Sequence, residues 1–434
     1  MAAHSGEIPT RVPFRRLAVS GAAWGAIALL VLVGVATAFL GGFGERTWLA
    51  IHFNWLFWSS VAVGMVVFAI SQHITNSRWS WPLKRLALAG VAFLPISFVL
   101  FLLKQPGNPV WFEHWWGEGK VEHDHILRAK AGWLNPTGML VRDVVGMLIL
   151  FGLMFWFAYH MLRPDLHGAP GPSIYRRISG GTWRGVPEEA LRSRKIAMRI
   201  APVTALLFAL IWGVIAIDQA MTMLPHWFST MFPVTFLVSA FHSGLAMTAI
   251  LMVWARKHFR FEQYIGMQQF HDLGKLIFAY SVFWMYVNWS QYVVIWYGLL
   301  PHEQEFFVQR FQQLFAVVVE VMLACVFVFP FLSLLARAPK KVPGVLAGVS
   351  AVVVFGHWLE RFLITVPSVW NTAEHPGLPL GLPEIGIALG FAGLFFGSIA
   401  WFLSVFPVLP SPASLATIPT LTIEVPLRTV AHSS

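Results

Sequence analysis

The stretch GAAWGAIALLVLVGVATAFL, Gly21–Leu40, decides the fold class of this chain. None of its side chains carries a charge. At about 1.5 Å per residue, a helix of this length spans roughly 30 Å, which is the thickness of the hydrocarbon core of a bilayer. The stretch therefore predicts a transmembrane helix.

Further apolar runs of similar length follow along the chain. Only 12% of the residues are charged, whereas soluble domains carry roughly 25%. We therefore expect an all-α integral membrane protein with about ten transmembrane helices. The predicted spans are Gly21–Leu40, Leu49–Ile74, Leu83–Leu103, Val141–Met161, Ile196–Ile217, Phe228–Ala255, Leu273–Leu299, Phe311–Leu335, Val345–Val366 and Ile385–Phe406.

The basic residues predict the orientation. If residues 1–20 form a cytoplasmic segment, most of the 30 Lys and Arg residues fall in cytoplasmic loops or tails, as the positive-inside rule requires. Both termini are then cytoplasmic, and the first span is interpreted as retained because no small-residue cleavage site precedes it. The charges lie in alternate loops, so the net charge of +10 indicates contact with lipid and not with nucleic acid.

Two loops and the tail have a distinct composition. The outer loop, residues 104–137, is rich in Trp and His, and the inner loop, residues 162–195, is basic. His123-Asp124-His125 is interpreted as part of a solvated loop and not as a metal site. The Pro-rich cytoplasmic tail, residues 408–434, is expected not to be helical but to be an extended arm on a partner or disordered.

Cofactor ligands are scarce. The single cysteine, Cys325, excludes an internal disulfide, and no Cys-x-x-Cys is present to hold an iron–sulfur cluster or covalent haem. The histidines do not offer an obvious pair at matched depth for bis-histidine haem. We expect no catalytic residue, no metal ligand and no cofactor bound by this chain.

Ionisable groups at membrane depth are costly, so each is a functional hypothesis. In the ninth span, His357, Glu360 and Arg361 are spaced so that they share one helix face. A proton path is predicted through spans six to nine, with entry at the cytoplasmic end. The alternative is that the same groups only hold the helices together. The candidates are His242, His271, Asp272, Lys275, Tyr286, Ser290, Gln291, Glu320, His357, Glu360 and Arg361.

Several motifs resemble one family. They are Gln72–Ser80 (QHITNSRWS), Leu224–Ser229 (LPHWFS), His271–Ala279 (HDLGKLIFA) and His357-x-x-Glu360 followed by Pro367. These stretches are similar to the NrfD-like membrane subunits of bacterial alternative complex III, a quinol:cytochrome c oxidoreductase, and most of all to the second and shorter of its two such subunits. Two positions depart from the family pattern, Glu360 in place of Asp and Asn288 in place of a smaller or apolar residue.

The resemblance implies a ten-helix membrane domain, residues 21–407, in the bacterial inner membrane. It implies two four-helix bundles, residues 49–217 and 228–366, flanked by helices one and ten. Quinol, menaquinol or another, is then oxidised in a homologous sister subunit, and this chain supports that reaction and conducts protons through its second bundle. His52, Asp143 and Asp218 are weaker candidates for a quinol pocket here.

The implied partners are membrane lipid, the sister subunit, an outer multihaem cytochrome, an iron–sulfur and molybdopterin-like subunit, and small membrane subunits. Haem and iron–sulfur clusters belong to these partners. Alternatives are a quinone-reactive anchor of a molybdenum or polysulfide reductase, a purely structural scaffold, and a transporter. Spans six to eight lack the Gly/Pro breaks typical of transporters, and gene neighbours would separate these interpretations.

Overall fold

The computed structural model describes residues 11–117, 119–311, 313–370 and 377–418, with only the main chain of residue 313. Within these ranges the secondary structure is helical, without a strand. Nine of the described helices are long and apolar enough to cross a membrane, as in a multi-pass membrane protein. The coarse fold class expected from hydropathy is thus confirmed.

Ten long helices organise the described chain. Three change character along their length, with a 3₁₀ turn at Ala89–Phe93 and π-helical turns at Phe208–Trp212 and Ala324–Val328. The helices are α1 Gly21–Leu40, α2 Glu45–Ile74, α3 Trp81–Leu103, α4 Pro136–Leu166, α5 Val186–Met223, α6 Met231–Phe259, α7 Met267–Gly298, α8 Leu314–Leu334, α9 Pro343–Thr365 and α10 Leu382–Val405.

Helix α7 is the one long helix that is not among the nine candidate spans. Its 32 residues would reach roughly 48 Å, so it has the length to span. Its sequence mixes aromatic with polar residues, including Asn288, Ser290 and Gln291. A total of ten spans therefore stays a prediction.

Helix starts follow local sequence signals. The Ser20 side chain caps α1 by accepting a hydrogen bond from the Ala23 backbone N–H, and Asn135 caps α4 in the same way with Gly138. Pro136 at the first position of α4 already has the backbone angle that a helix start requires. These caps satisfy N–H groups that the helices leave free.

Small residues allow the central helices to touch through their backbones. A Cβ atom at Gly64 of α2 would lie 1.8 Å from the Ala240 carbonyl oxygen of α6, and one at Gly244 would lie 2.3 Å from the Gly64 carbonyl carbon. Helices α1 and α10 approach as closely at Gly34 and Gly390. Such contacts pack helices well in lipid, where the hydrophobic effect does not drive association.

The helices pack in two sets. In the first helix set, α2–α5, helix α2 lies against α3 and α5, and α5 against α4. In the second helix set, α6–α9, helix α6 lies against α7 and α9, and α8 against α7 and α9. The α2–α6 contact joins the two sets, and α10 holds α1 against α2. We call the end that bears residues 104–135 and 220–230 the tryptophan-rich end.

The C-terminal segment differs from the prediction. Residues Pro412–Ala416 form a short helix, with Ser411 as its N-cap and Pro412 at the first position, where proline is tolerated. Asp165 accepts hydrogen bonds from Ser411 and Ser414, so this part folds back onto the chain. The expectation of an extended tail is therefore wrong for these residues. Residues 419–434 and 1–10 of the predicted terminal segments lie outside the described residues.

Candidate functional site

A buried chain of polar side chains crosses the second helix set. His357 of α9 lies between two partners, with its Nδ1 2.8 Å from Glu360 Oε2 and its Nε2 3.0 Å from His242 Nδ1 of α6. The other nitrogen of His242, Nε2, lies 3.3 Å from the Ser281 hydroxyl of α7. These side chains are buried, and we call the four residues Ser281, His242, His357 and Glu360 the relay chain.

The donor and acceptor capacities of the side chains allow one consistent direction for the hydrogen bonds of the relay chain. If Glu360 is ionised it only accepts, so His357 donates to it through Nδ1–H and has a lone pair on Nε2. His242 then donates through Nδ1–H and accepts from the Ser281 hydroxyl at Nε2. Each donor therefore faces an acceptor along the whole row.

The carboxylate of Glu360 is held on all sides. The Ser239 hydroxyl donates to its Oε1 over 2.7 Å and the Trp284 indole N–H over 2.9 Å. Arg361 lies 3.8 Å from its other oxygen and packs against the Phe236 ring. The arginine balances the buried charge, since an isolated carboxylate would be expensive at this depth.

The sequence found part of this group. His242, His357, Glu360 and Arg361 were predicted, and the structure brings them together. The pairing of His242 with His357 was missed, as were Ser239, Ser281 and Trp284. Ser281, Trp284, Asn288 and Gln291 recur at three- and four-residue steps, so they share one face of α7, and this spacing could have indicated them.

The two histidines do not make a haem site. Their facing nitrogen atoms are 3.0 Å apart and share a hydrogen bond, which leaves no room for an iron atom between them. Their remaining nitrogens are engaged by Glu360 and Ser281. Among the described residues, no group of three or more His, Cys, Asp or Glu side chains could hold a metal ion.

Three predicted path residues lie away from the relay chain. Tyr286 is 64% exposed on the outer side of α7, and the Ser290 hydroxyl donates to the Tyr286 carbonyl of its own helix. Glu320 points outward from α8. The predicted passage through these residues is thus not the arrangement that the structure shows. Gln291, by contrast, is buried on the face of α7 that carries Ser281 and Trp284, and its side chain lies near Thr235.

The predicted entry group lies at the other end of α7. Asp272 and Lys275 form an ion pair of 2.7 Å, and His271 lies 3.8 Å from the same carboxylate. Together with Lys340 they border an open cavity. Ser281 lies about ten residues further along α7, roughly 15 Å away, and no hydrogen bond of the described residues bridges that distance.

A second buried cluster lies in the first helix set at the tryptophan-rich end. The Lys104 ammonium group donates to Gln219 Oε1 over 2.7 Å and lies 3.2 Å from His52 Nδ1. The Gln219 amide donates to Asp143 over 2.6 Å, and Arg142 holds Asp218 with two hydrogen bonds of 3.0 Å. We call these six residues the paired-charge cluster.

The predicted quinol-pocket candidates His52, Asp143 and Asp218 all belong to this cluster. His52 stacks on Trp111 with ring centres 4.5 Å apart, and its Nε2 lies 2.7 Å from the Gln219 carbonyl oxygen. The three side chains are at most 1% exposed. They therefore present no surface to a ligand in this structure. Lys104, Arg142 and Gln219, which complete the cluster, were not predicted as site residues.

Asp124 stabilises the Trp- and His-rich loop that follows α3. Its carboxylate caps the short helix His125–Ala129 and lies 2.6 Å from His226. The hydrogen bond with His226 lowers the pKa of the Asp124 carboxyl to about 2. This residue of the His123-Asp124-His125 stretch thus fixes a loop conformation.

The chain was compared with protein-family models and with curated proteins. No family model matches it, and no curated protein matches it.

Proposed function

We propose that this chain is an integral membrane subunit of a quinol:cytochrome c oxidoreductase complex, or of one with another electron acceptor, and that its second helix set conducts protons. In this proposal quinol is oxidised in a sister subunit, and haem and iron–sulfur clusters are bound by partners on the outer face. The complex lies in a bacterial inner membrane with both termini of this chain in the cytoplasm. The motif resemblance and the multi-pass helical fold support it.

The relay chain is the single observation that carries the proton-conducting part. A proton arriving at His242 Nε2 displaces the Nδ1 proton to His357, whose own Nδ1 proton then passes to Glu360. The end state is a neutral Glu360 with both imidazoles in their other, neutral tautomers. Imidazoles and carboxylates suit this work because small environmental changes shift their protonation.

A structural scaffold is the second candidate, favoured by the missing polar connection between His271 and Ser281. In that case the relay chain fixes the packing of α6, α7 and α9 and moves no proton. Buried polar networks commonly rigidify helix packing in this way.

The two candidates are separated by Glu360→Gln, tested on the purified complex in proteoliposomes with a pH-sensitive dye. The amide keeps the volume but cannot take up the proton. We expect quinol:cytochrome c reductase activity to persist and proton translocation to fall at least about tenfold, which corresponds to roughly 1.4 kcal/mol or more. Glu320→Gln is the matched control, because it makes the same change on an exposed carboxylate.

If translocation is equal in Glu360→Gln, Glu320→Gln and the unaltered complex, the relay chain is structural and the scaffold interpretation holds. If the purified complex oxidises no quinol at all, the proposed membership in a quinol oxidoreductase is refuted.

A further inference from the structure

A cavity of about 330 Å³ lies in the second helix set beside the relay chain. Its walls come from α6, α7, α8, α9 and the short helix Pro301–Phe311. Trp289 and Phe311 border it and are about half exposed, so the cavity is open on one side towards the surface of the transmembrane helices. Molecules dissolved in the membrane can enter from that side.

The walls of the cavity are mostly apolar. Aromatic rings from α7 and from Pro301–Phe311, such as Tyr292 and Phe307, face aliphatic side chains of α8 and α9, such as Val319 and Leu363. A cavity of this kind favours a hydrophobic ligand, and a small number of polar groups in the walls then orients that ligand. Glu360 lines the same cavity, so its occupant lies beside the end of the relay chain.

Two of the residues that line this cavity, Gln291 and Arg310, each have a buried N–H group without an acceptor. Gln291 uses its oxygen for Thr235, while its Nε2 has no hydrogen-bond partner among the described residues. Arg310 donates from Nη1 to Phe306 and from Nη2 to Ile364 and Ser368, while its Nε has none. Both residues are 5% exposed. Buried polar groups are normally satisfied, so unpaired donors on two residues that border the same cavity point to a missing acceptor nearby.

We infer that this cavity is a binding site for an uncharged lipophilic molecule whose carbonyl oxygen accepts hydrogen bonds from Gln291 and Arg310. A carbonyl oxygen has two lone pairs and suits donors that are already fixed in place. The walls are mostly apolar, so they suit an uncharged molecule. Two membrane compounds offer this chemistry, the ring carbonyl of a quinone and the ester carbonyl of a glycerolipid.

The site goes beyond the proposed function, which assigns quinol oxidation to a sister subunit. It also does not depend on it, since ligand retention can be measured without electron transfer. The full-length chain is purified in mild detergent, extracted with organic solvent, and the extract is quantified for quinones and glycerolipids by mass spectrometry. We expect close to one molecule of one of these two classes per chain.

Val319→Phe fills the cavity and should reduce retention at least fivefold, while Val321→Phe places the same ring on the exposed side of α8 and should not. Gln291→Leu has a side chain of similar volume but lacks the N–H donor, so it should also reduce ligand retention. This variant replaces Val319→Phe as the test if Val319→Phe does not fold. Which class is lost identifies the source of the carbonyl.

Equal retention in Val319→Phe and the unaltered chain, or an equal loss in Val321→Phe, overturns the site. If nothing is retained, the chain is titrated with a short-chain quinone and with a short-chain phosphatidylcholine, and binding of neither overturns it as well. An unchanged proton translocation in Glu360→Gln, by contrast, refutes only proton conduction.

Discussion

The paired-charge cluster and the relay chain are both buried, yet their hydrogen bonds are organised differently. In the paired-charge cluster Arg142 binds Asp218 directly, and Lys104 is linked to Asp143 through the side chain of Gln219. The relay chain holds two imidazoles in a row that ends on one carboxylate. Burial of ionisable groups therefore does not by itself indicate proton transfer.

His52 shows the difference most clearly. Its Nε2–H must donate to the Gln219 carbonyl, so its Nδ1 can only accept from the Lys104 ammonium group. The other tautomer would turn an N–H towards a cation. His242 and His357 have no such neighbour, and both tautomers of each find a partner. The first cluster is thus fixed, and the second can exist in two proton arrangements, which differ in whether Glu360 is ionised or neutral.

The largest effect is expected from Lys104→Met, which breaks the paired-charge cluster. The change leaves Asp143 buried without its nearby cation, and loss of one partner of a buried charged group costs about 3–5 kcal/mol. Thermal unfolding of the detergent-solubilised chain, followed by size-exclusion chromatography, should shift to markedly lower temperature.

Lys120→Met in the exposed outer loop is the matched control and should leave unfolding unchanged. An equally stable Lys104→Met chain would contradict the view that this cluster supports the fold.

His242→Phe should have the next largest effect, on transport more than on stability. The phenyl ring is aromatic and somewhat larger than imidazole but has no nitrogen, so the relay chain is cut while the charges of Glu360 and Arg361 are untouched. One buried nitrogen of His357 loses its partner, which costs about 1–3 kcal/mol. Proton translocation in proteoliposomes should fall at least about tenfold, as in Glu360→Gln.

Phe241→Leu on the neighbouring position of α6 tests whether any change in this helix has the same effect. Translocation that survives in His242→Phe would mean that protons reach Glu360 without the imidazoles.

Hydropathy predicted the long helices well, because each apolar run must cover the membrane thickness by itself. The predicted first span and α1 have the same bounds, Gly21–Leu40. The same reasoning missed the π-helical turns in α5 and α8, since one extra residue in a turn leaves no mark on hydropathy. The hydropathy pattern thus predicted the long helices but not the π-helical turns within them.

The candidate site was only partly predictable. The spacing of His357 and Glu360 fixes their common face, since both lie on one helix. The partner of His357 comes from α6. The sequence does not give the relative positions of two helices along the membrane normal with the precision that a hydrogen bond requires. Lys104 was assigned to a loop, but its ammonium group lies over the rings of Trp55 and Trp111, which the sequence does not reveal.

Glu320→Gln is expected to have the smallest effect and tests the contrast between buried and exposed carboxylates. Which way Glu320 faces depends on the rotation of α8, and the structure turns it outward, with no hydrogen bond or ion pair to other described residues. The neutral amide should therefore leave both the unfolding temperature and proton translocation within error of the unaltered complex. Translocation assays on Glu320→Gln and Glu360→Gln, prepared side by side, give the measurement. A loss in Glu320→Gln as large as that in Glu360→Gln would place this outer face of α8 on the proton path, and the relay chain would then be at most one part of it.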